Sequence, residues 1–377
     1  MQASVRTTVA TALVAFTVSA AHSAGVVRTF DDRLEGHVVF RDGSVEVGGK
    51  AVPWAAIVYA MPDGHVRTLG DPGAVRLVGG EVWRGDVLRL SAGKLTVRSR
   101  LSGERQIDTA RVTAIEFAHG APRADGTGPA TLYREDGEPV PGSLLWIDPS
   151  RLAIDSPLGV LTLSRRRLLC YVFDRADAGP AKAGAPDEVG LVDGTVLRGR
   201  ATPAQGSLRL EHATLGALTL DARMIRYLRR HNARAVDLAT LAPASVTSAA
   251  LAGETPQGRP VEVVFNGQAK RPGATCLAAV HVRPKSVVRY RLPQDAGGSL
   301  KLSGLLGPLE GAGGDVRIRI AAGDRVLLDQ EFAPDADDVP LRLSVPAGGE
   351  LVLDVDFGKR IGFPAGVRLE DPLLVAH

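Results

Sequence analysis

Cysteine is nearly absent from this chain, which has 2 in 377 residues. Two cysteines form at most one bridge, so a disulfide framework is excluded as the source of stability. The net charge is also small, +3 from 45 Lys and Arg against 42 Asp and Glu. An even balance lacks the basic surplus of a nucleic-acid-binding protein, so no nucleic-acid partner is expected.

Catalytic and metal-binding signatures are missing as well. The sequence has no Gly-x-Ser-x-Gly, P-loop or Gly-x-Gly-x-x-Gly motif, and none of its 8 histidines has a partner at zinc-ligand spacing. Asp335, Asp337 and Asp338, with Asp354 and Asp356, carry oxygen ligands of the kind that calcium prefers, although a solvated turn is the simpler interpretation. We therefore expect no enzyme, no metal and no cofactor.

An apolar run of appreciable length occurs at the N-terminus. Arg6 precedes an uncharged segment at 9–20, and Ala21-His22-Ser23 offers a small-x-small cleavage pattern. A bilayer span needs about 20 apolar residues, so a signal peptide at 1–24 is favoured over an anchoring helix. We expect an exported protein without a transmembrane segment after cleavage, in the periplasm, on the cell surface or outside the cell.

Matched residues recur at an interval of 57 in the first two thirds of the chain. The clearest sets are Gly80, Gly137 and Gly194, then Gly85, Gly142 and Gly199. Apolar pairs follow at nearly the same offsets: Leu95 and Val97, Leu152 and Ile154, Leu208 and Leu210. Repetition at so many offsets indicates three copies of one supersecondary unit, at 75–120, 130–175 and 187–230.

Each copy has the pattern of short antiparallel strands. Asp136-Gly137 and Asp193-Gly194 are dipeptides that close tight hairpins, and the alternating leucines predict strands with one wet face. We expect four or five strands per copy, in a small barrel-like or bent sheet. Residues 25–74 resemble a degenerate copy, too short for the full set of strands.

The remaining third differs in pattern. Residues 231–252 are expected to be a linker with one short helix near 233–242. Residues 253–377 predict a β-sandwich, because alternating segments at 261–265, 287–292, 300–302, 316–320, 341–343 and 351–357 are separated by turn clusters. The whole chain is therefore predicted to be all-β.

Several segments of this last third carry a family resemblance. They are 278–282, 286, 290–292, 300–304, 315–318, 324–326, 351–358 and the closing Asp371-Pro372-Leu373-Leu374. On these residues the segment resembles the NPCBM/NEW2 family of carbohydrate-binding modules in secreted bacterial proteins, which implies a jelly-roll-like sandwich and sugar binding. The family's polar pair and Trp near the end are replaced here by Ala365-Gly366 and Leu369.

Aromatic side chains are the usual apolar platforms for sugar rings, and only 5% of residues are aromatic. Trp54, Trp83 and Trp146 fall in the repeat region, and for Trp83 and Trp146 core filling is favoured over a binding platform. Phe363 lies in a Gly/Pro loop and is expected at the surface. The candidate ligand-binding residues are Phe363, Tyr290, Arg368 and Asp356, although core packing is the simpler interpretation for Tyr290.

The two cysteines leave two interpretations open. Cys170 lies in an apolar strand, where a buried unreactive thiol is favoured, and a bridge to Cys276 is the alternative. The leading functional hypothesis is glycan or polysaccharide binding by the C-terminal sandwich, with the repeats as a spacer or second recognition surface. The rival is a structural component of the bacterial cell envelope that binds envelope proteins and no sugar.

Overall fold

The structure is a computed structural model that describes residues 25–62, 73–99, 103–118, 129–174, 187–231, 234–249, 259–265, 278–294 and 298–376. Within these ranges the chain is all-β, as predicted, with antiparallel strands, five short 3-10 turns and no α-helix. None of the described segments is a helix long and apolar enough to cross a membrane. The predicted signal peptide and Cys276 lie outside the described residues.

Residues 25–229 form four units with one strand order. Unit 1 contains β1 (Gly25–Thr29), β2 (Arg33–Gly36), β3 (Val38–Arg41), β4 (Ser44–Val47), β5 (Lys50–Pro53) and β6 (Ile57–Met61). Unit 2 contains β7 (Ala74–Leu77), β8 (Val82–Arg84), β9 (Asp86–Ser91), β10 (Lys94–Ser99), β11 (Gly103–Asp108) and β12 (Val112–Glu116).

Unit 3 contains β13 (Thr131–Arg134), β14 (Val140–Pro141), β15 (Ser143–Ile147), β16 (Arg151–Ser156), β17 (Gly159–Ser164) and β18 (Leu168–Val172). Unit 4 contains β19 (Asp187–Leu191), β20 (Val196–Ala204), β21 (Ser207–His212), β22 (Gly216–Asp221) and β23 (Ile225–Arg229). A 3-10 turn precedes the last strand of every unit: Trp54–Ala56, Thr109–Arg111, Arg165–Arg167 and Ala222–Met224.

These strand counts differ from expectation in two ways. Units 1 to 3 have six strands rather than four or five, because a bend divides the long strand that stays continuous as β20 in unit 4. Unit 1 was expected to be incomplete, yet it contains the full set. It is shorter because β3, β4 and β5 have 4 residues each, whereas β9, β10 and β11 have 6 each.

The bend explains Gly85 and Gly142, two members of one of the glycine sets that recur every 57 residues. A Cβ atom on Gly85 would lie 2.5 Å from the carbonyl oxygen of Arg98, and one on Gly142 would lie 2.6 Å from that of Asp155. Both oxygens belong to the strand onto which the bent strand folds. Only glycine permits so close a backbone approach, so the bends make the sheets of the units curl. No sheet among the described residues closes into a barrel.

The units pair in an order different from their order in the chain. The closing strand β12 of unit 2 pairs with β18 of unit 3, and β6 of unit 1 pairs with β23 of unit 4. A contact between β8 and β20 joins unit 2 to unit 4. The first, second and closing strands of units 1 to 3 and all strands of unit 4 therefore form one 14-stranded sheet in the unit order 3-2-4-1. β9–β11 and β15–β17 form a separate 6-stranded sheet, and β3–β5 form a 3-stranded one. One apolar cluster extends through all four units.

The C-terminal third is a two-sheet sandwich around its own core. The first sheet contains β24 (Ala235–Asp237), β26 (Val261–Phe265), β27 (Ala278–Val282), β29 (Ser299–Pro308), β32 (Val339–Pro346) and β34 (Val367–Ala376). The second contains β25 (Ser245–Ser248), β28 (Ser286–Arg291), β30 (Val316–Ala322), β31 (Arg325–Phe332) and β33 (Glu350–Phe357).

The segment predicted as a linker with a short helix contributes strands instead. β24 pairs with β34 of the first sheet, and β25 pairs with β28 of the second. Between them Leu238–Thr240 forms one 3-10 turn, capped by the Asp237 side chain, which accepts a hydrogen bond from the Ala239 backbone N–H. Because β24 and β25 complete the sandwich, this segment belongs to it, and the helix prediction is wrong.

Substituting Gly142 by Ala tests the role of the bend. We expect a loss of about 2 kcal/mol in the free energy of unfolding, because a backbone oxygen cannot move aside for the new methyl group without distorting two strands. Gly349→Ala is the control, since its Cβ would have no neighbour closer than 3.6 Å. Urea unfolding followed by far-UV circular dichroism measures both, and equal midpoints would contradict the assignment.

Candidate functional site

One exposed loop carries the aromatic residue singled out from the sequence. The Phe363 loop, residues 358–366, joins β33 to β34. Phe363 is 56% exposed, and Ile361 beside it is also exposed. The Phe363 ring contacts Phe357 edge to face, with ring centroids 5.4 Å apart. The loop therefore presents a flat apolar surface that is supported from below.

Backbone contacts with the connection between β29 and β30 hold the loop in place. The Gly313 N–H donates to the Pro364 carbonyl at 2.7 Å, and the Asp315 N–H donates to the Arg360 carbonyl at 2.8 Å. A Cβ atom on Gly313 would lie 2.6 Å from the Phe363 carbonyl oxygen. The Gly313-Gly314 pair thus allows two loops to pack backbone against backbone, which fixes the position of Phe363.

Charged groups flank the aromatic surface. Arg360 Nη2 lies 2.8 Å from Asp315 Oδ1, and this hydrogen bond holds the pKa of the Asp315 carboxyl below its usual range. The Lys359 N–H donates to Glu331 Oε1 at 2.9 Å. The loop therefore offers an apolar ring bordered by ionised donors and acceptors.

Asp356 lies near this loop, since it precedes Phe357 in β33. Its side chain is partly exposed, and its Oδ1 is 2.8 Å from Lys285 Nζ on the connection between β27 and β28. Of the four candidate residues, Phe363 and Asp356 are thus accessible at the same end of the sandwich. The other two are not.

Tyr290 and Arg368 are corrections to the sequence-based site. Tyr290 lies on the same face of β28 as Val288, the face toward the sandwich core, and is fully buried. This burial raises the pKa of its hydroxyl to about 12. Arg368 points to the opposite face of the first sheet from Val367 and is also buried. Its guanidinium lies 3.1 Å from Asp338 Oδ2 and 2.8 Å from Glu370 Oε1, so it is committed to protein partners.

The positions at which the resembling family carries polar and Trp residues are closed here. Ala365 and Leu369 are buried, and a Cβ on Gly366 would lie 2.6 Å from a methyl carbon of Leu309. These positions therefore offer no side chain that could contact a ligand.

The aspartates weighed as a calcium site are dispersed among other contacts. Asp338 pairs with Arg368, and Asp356 pairs with Lys285. Among the described residues no three His, Cys, Asp or Glu side chains are grouped so as to hold a metal ion.

Trp83, Trp54 and Cys170 of the repeats make contacts within the protein. Trp83 is buried in the shared core, and the Arg230 guanidinium stacks 4.4 Å above the Trp54 ring. Cys170 is buried in β18, and burial raises the pKa of its thiol to about 11. Cys276, the alternative bridge partner of Cys170, lies outside the described residues.

A second charged centre lies where the sandwich meets unit 1, and the sequence did not reveal it. Asp371 interrupts β34 with a φ of +47°, where the pairing with β29 shifts register beyond Ser303. Its Oδ2 accepts hydrogen bonds from Arg33 Nη1 and from the Tyr59 hydroxyl, each at 2.5 Å. The Asp371-Pro372 pair was visible as a family motif, but its partners in unit 1 were not.

The same junction contains a buried titratable carboxyl. Asp237 lies 3.7 Å from Arg229 of unit 4, and Val58, Leu373 and Val375 form an apolar patch across the junction. Burial raises the pKa of Asp237 to about 6, against an opposing effect of Arg229.

No protein-family model and no curated protein matches the chain. A solved CBM51 module of a GH95 protein from Clostridium perfringens, in complex with methyl-galactose, is 15% identical with a TM-score of 0.30, over 37% of this chain and 99% of that chain. Tandem CBM51 modules of the family 98 glycoside hydrolase from Streptococcus pneumoniae are 10% identical with a TM-score of 0.31, over 81% and 88%. TM-scores this far below 0.5 establish neither a common fold nor a common function.

The Asp237 carboxyl predicts a pH dependence of stability. The native state holds this proton more tightly than the unfolded chain, in which the pKa is 3.8. This group's contribution to the free energy of unfolding is therefore largest at low pH and falls as pH rises from about 4 to about 6. Asp237→Asn keeps the oxygen that caps Ala239 and should remove this fall. Urea titrations at several pH values measure it, and parallel curves for the two proteins would contradict the assignment.

Proposed function

We propose that the chain is a non-catalytic carbohydrate-binding protein and that the Phe363 loop is its glycan-binding surface. The observation that carries this proposal is the exposed Phe363 ring, which is held in one orientation by Phe357 and by the backbone contacts of Gly313 and Asp315. A rigid aromatic surface binds a sugar face without first losing conformational entropy.

The flanking charges fit the polar part of such a ligand. Arg360 and Lys359 supply donors only, and Asp315, Glu331 and Asp356 supply acceptors, whereas a sugar hydroxyl both donates and accepts. A few oriented polar groups around an apolar platform are the usual composition of a small-ligand site. Neutral hydroxyl groups of a glycan therefore match this border.

Binding without hydrolysis is the favoured chemistry at this loop. Glycoside hydrolysis generally needs one protonated and one ionised carboxyl across the bond to be broken. Asp315 is held ionised by Arg360, and Asp356 is paired with Lys285, which lowers its pKa as well. Neither carboxyl is thus prepared to donate a proton at neutral pH.

The proposal places the protein where glycans and polysaccharides are met, outside the cytoplasm. The signal-like segment at 1–24 agrees with export to the periplasm, the cell surface or the medium. Under this proposal the four units carry the sandwich as a spacer, or add a second recognition surface.

A role as a protein-binding component of the cell envelope is the second candidate, and one observation favours it. In the described part of the chain β17 pairs with β16 alone and is an edge of its sheet. Leu158 at its turn is 87% exposed, and Val160 in the strand is 63% exposed. An apolar edge strand is a template for adding a strand of another protein.

Two single substitutions separate the candidates. Phe363→Ala removes the platform and should reduce retention on an insoluble polysaccharide at least tenfold, since the contact of one aromatic ring with a sugar disappears. Val160→Lys places a charge on the β17 edge and should leave that retention unchanged. The measurement is the bound fraction of each purified protein in depletion assays against bacterial and plant polysaccharides.

The opposite pattern would reject glycan binding in favour of the envelope role. In that case no polysaccharide retains the unsubstituted protein, while Val160→Lys abolishes its retention by envelope preparations and Phe363→Ala does not. Both sites are solvent exposed, so matched thermal unfolding curves serve as the check that each variant is folded.

A further inference from the structure

A cavity of about 230 Å³ lies between unit 1 and the sandwich. Its wall from unit 1 is the β1–β2 hairpin with Asp31 and Asp32, and its wall from the sandwich consists of β29, β32 and the bulge of β34 at Asp371. This volume is below the range of about 300–1,000 Å³ that is typical of drug-sized ligands. It suits a single small ring rather than an extended chain.

One side of the cavity holds an incompletely satisfied guanidinium group. Arg28 is only 7% exposed, and its Nη2 donates to Ser303 Oγ at 2.5 Å. Its Nε is buried and has no hydrogen-bond partner. Because this Nε is closed to solvent, a ligand would meet Arg28 only through the part of its side chain that lines the cavity.

A second guanidinium flanks the same serine. Arg342 lies directly opposite Ser303 in the pairing of β29 with β32, which places their Cβ atoms about 5 Å apart. No carboxylate of the described residues forms an ion pair with Arg342. Two sets of donors therefore converge on the Ser303 side of the cavity.

Carboxylates lie on the other sides of the cavity, and they differ in how many of their oxygens already bond to protein groups. Asp371 is taken by Arg33 and Tyr59, and Glu370 is paired with Arg368. Asp31 is largely exposed and 3.6 Å from Lys301, and Asp32 lines the cavity beside it. Three arginines and four carboxylates line this volume, so the lining has no positive surplus that would favour an anion.

We propose that this cavity binds one neutral sugar ring, or a polyol of the same size, through donors from Arg28 and Arg342 and acceptors from Asp31 and Asp32. A hydroxyl group accepts from a guanidinium and donates to a carboxylate at once, so adjacent hydroxyls on a ring match this mixed lining. The choice of ligand class rests on the proposed function, but the site uses no residue of the Phe363 loop.

Titration of the full chain with free monosaccharides tests this proposal. The probes are glucose, galactose, mannose, myo-inositol and glucuronate, followed by saturation-transfer NMR and calorimetry. At least one neutral probe should bind saturably at one site. Arg342→Ala and Asp32→Asn should each weaken that binding about tenfold or more, because each removes charge-assisted hydrogen bonds. Arg289→Ala, an exposed arginine of the second sheet that pairs with Glu350, is the control and should bind as the unsubstituted protein does.

The outcomes separate this site from the Phe363 loop. Binding that survives Phe363→Ala and is lost in Arg342→Ala supports the cavity, whatever the polysaccharide assays show. Binding that is lost in Phe363→Ala and kept in Arg342→Ala overturns the cavity site and leaves the proposed function standing. The cavity site is also overturned if no neutral probe binds, or if glucuronate alone does.

Discussion

Each of the four units ends in a largely buried strand that has hydrogen-bond partners along both edges. β12 is buried at all 5 of its residues, and β6 likewise. The first strand of the same unit occupies one edge, and the closing strand of another unit occupies the second. Because a buried backbone group without a partner is costly, one unit alone cannot satisfy its own closing strand. This constraint pairs unit 2 with unit 3 and unit 1 with unit 4, and the contact between β8 and β20 joins the two pairs.

The sandwich is attached to this body because a buried carboxylate, that of Asp371, also needs hydrogen-bond partners. β34 is buried along nearly its whole length, and its bulge directs the Asp371 carboxylate away from the sandwich core toward Arg33 and Tyr59. The cavity adjoins this attachment because the bulge and the β1–β2 hairpin do not fill the space between them. Polar side chains such as Arg33 and Asp371 thus both join the two parts and line the cavity between them.

Local features of this fold were readable from the sequence, and long-range ones were not. The glycines at 57-residue intervals predicted the repeated units correctly, but the close backbone approach at Gly85 and Gly142 became visible only in the structure. The segment at 233–242 was misread because a 3-10 turn capped by Asp237 between two short strands has the apolar spacing of a helical turn. The pairing of β6 with β23 left no trace, since an apolar strand does not specify which apolar strand will lie beside it.

The site shows the same division. Phe363 was placed correctly at the surface because its Gly/Pro context excludes a strand. Tyr290 and Arg368 occupy alternating strands, where the face of the sheet decides their fate, and Arg368 is buried because Asp338 and Glu370 neutralise it. Arg28 and Arg342 gave no signal, because they become neighbours only when unit 1 and the sandwich meet.

The pairing of Ala60 with Leu228 has a consequence for the order in which the protein acquires its structure. A chain delivered from its N-terminus presents β6 long before β23 exists, so the first unit waits with a bare apolar edge while the next two emerge. Such an edge invites pairing with other chains. Holding the nascent polypeptide apart from its neighbours is therefore a requirement that this topology imposes on the cell that makes it.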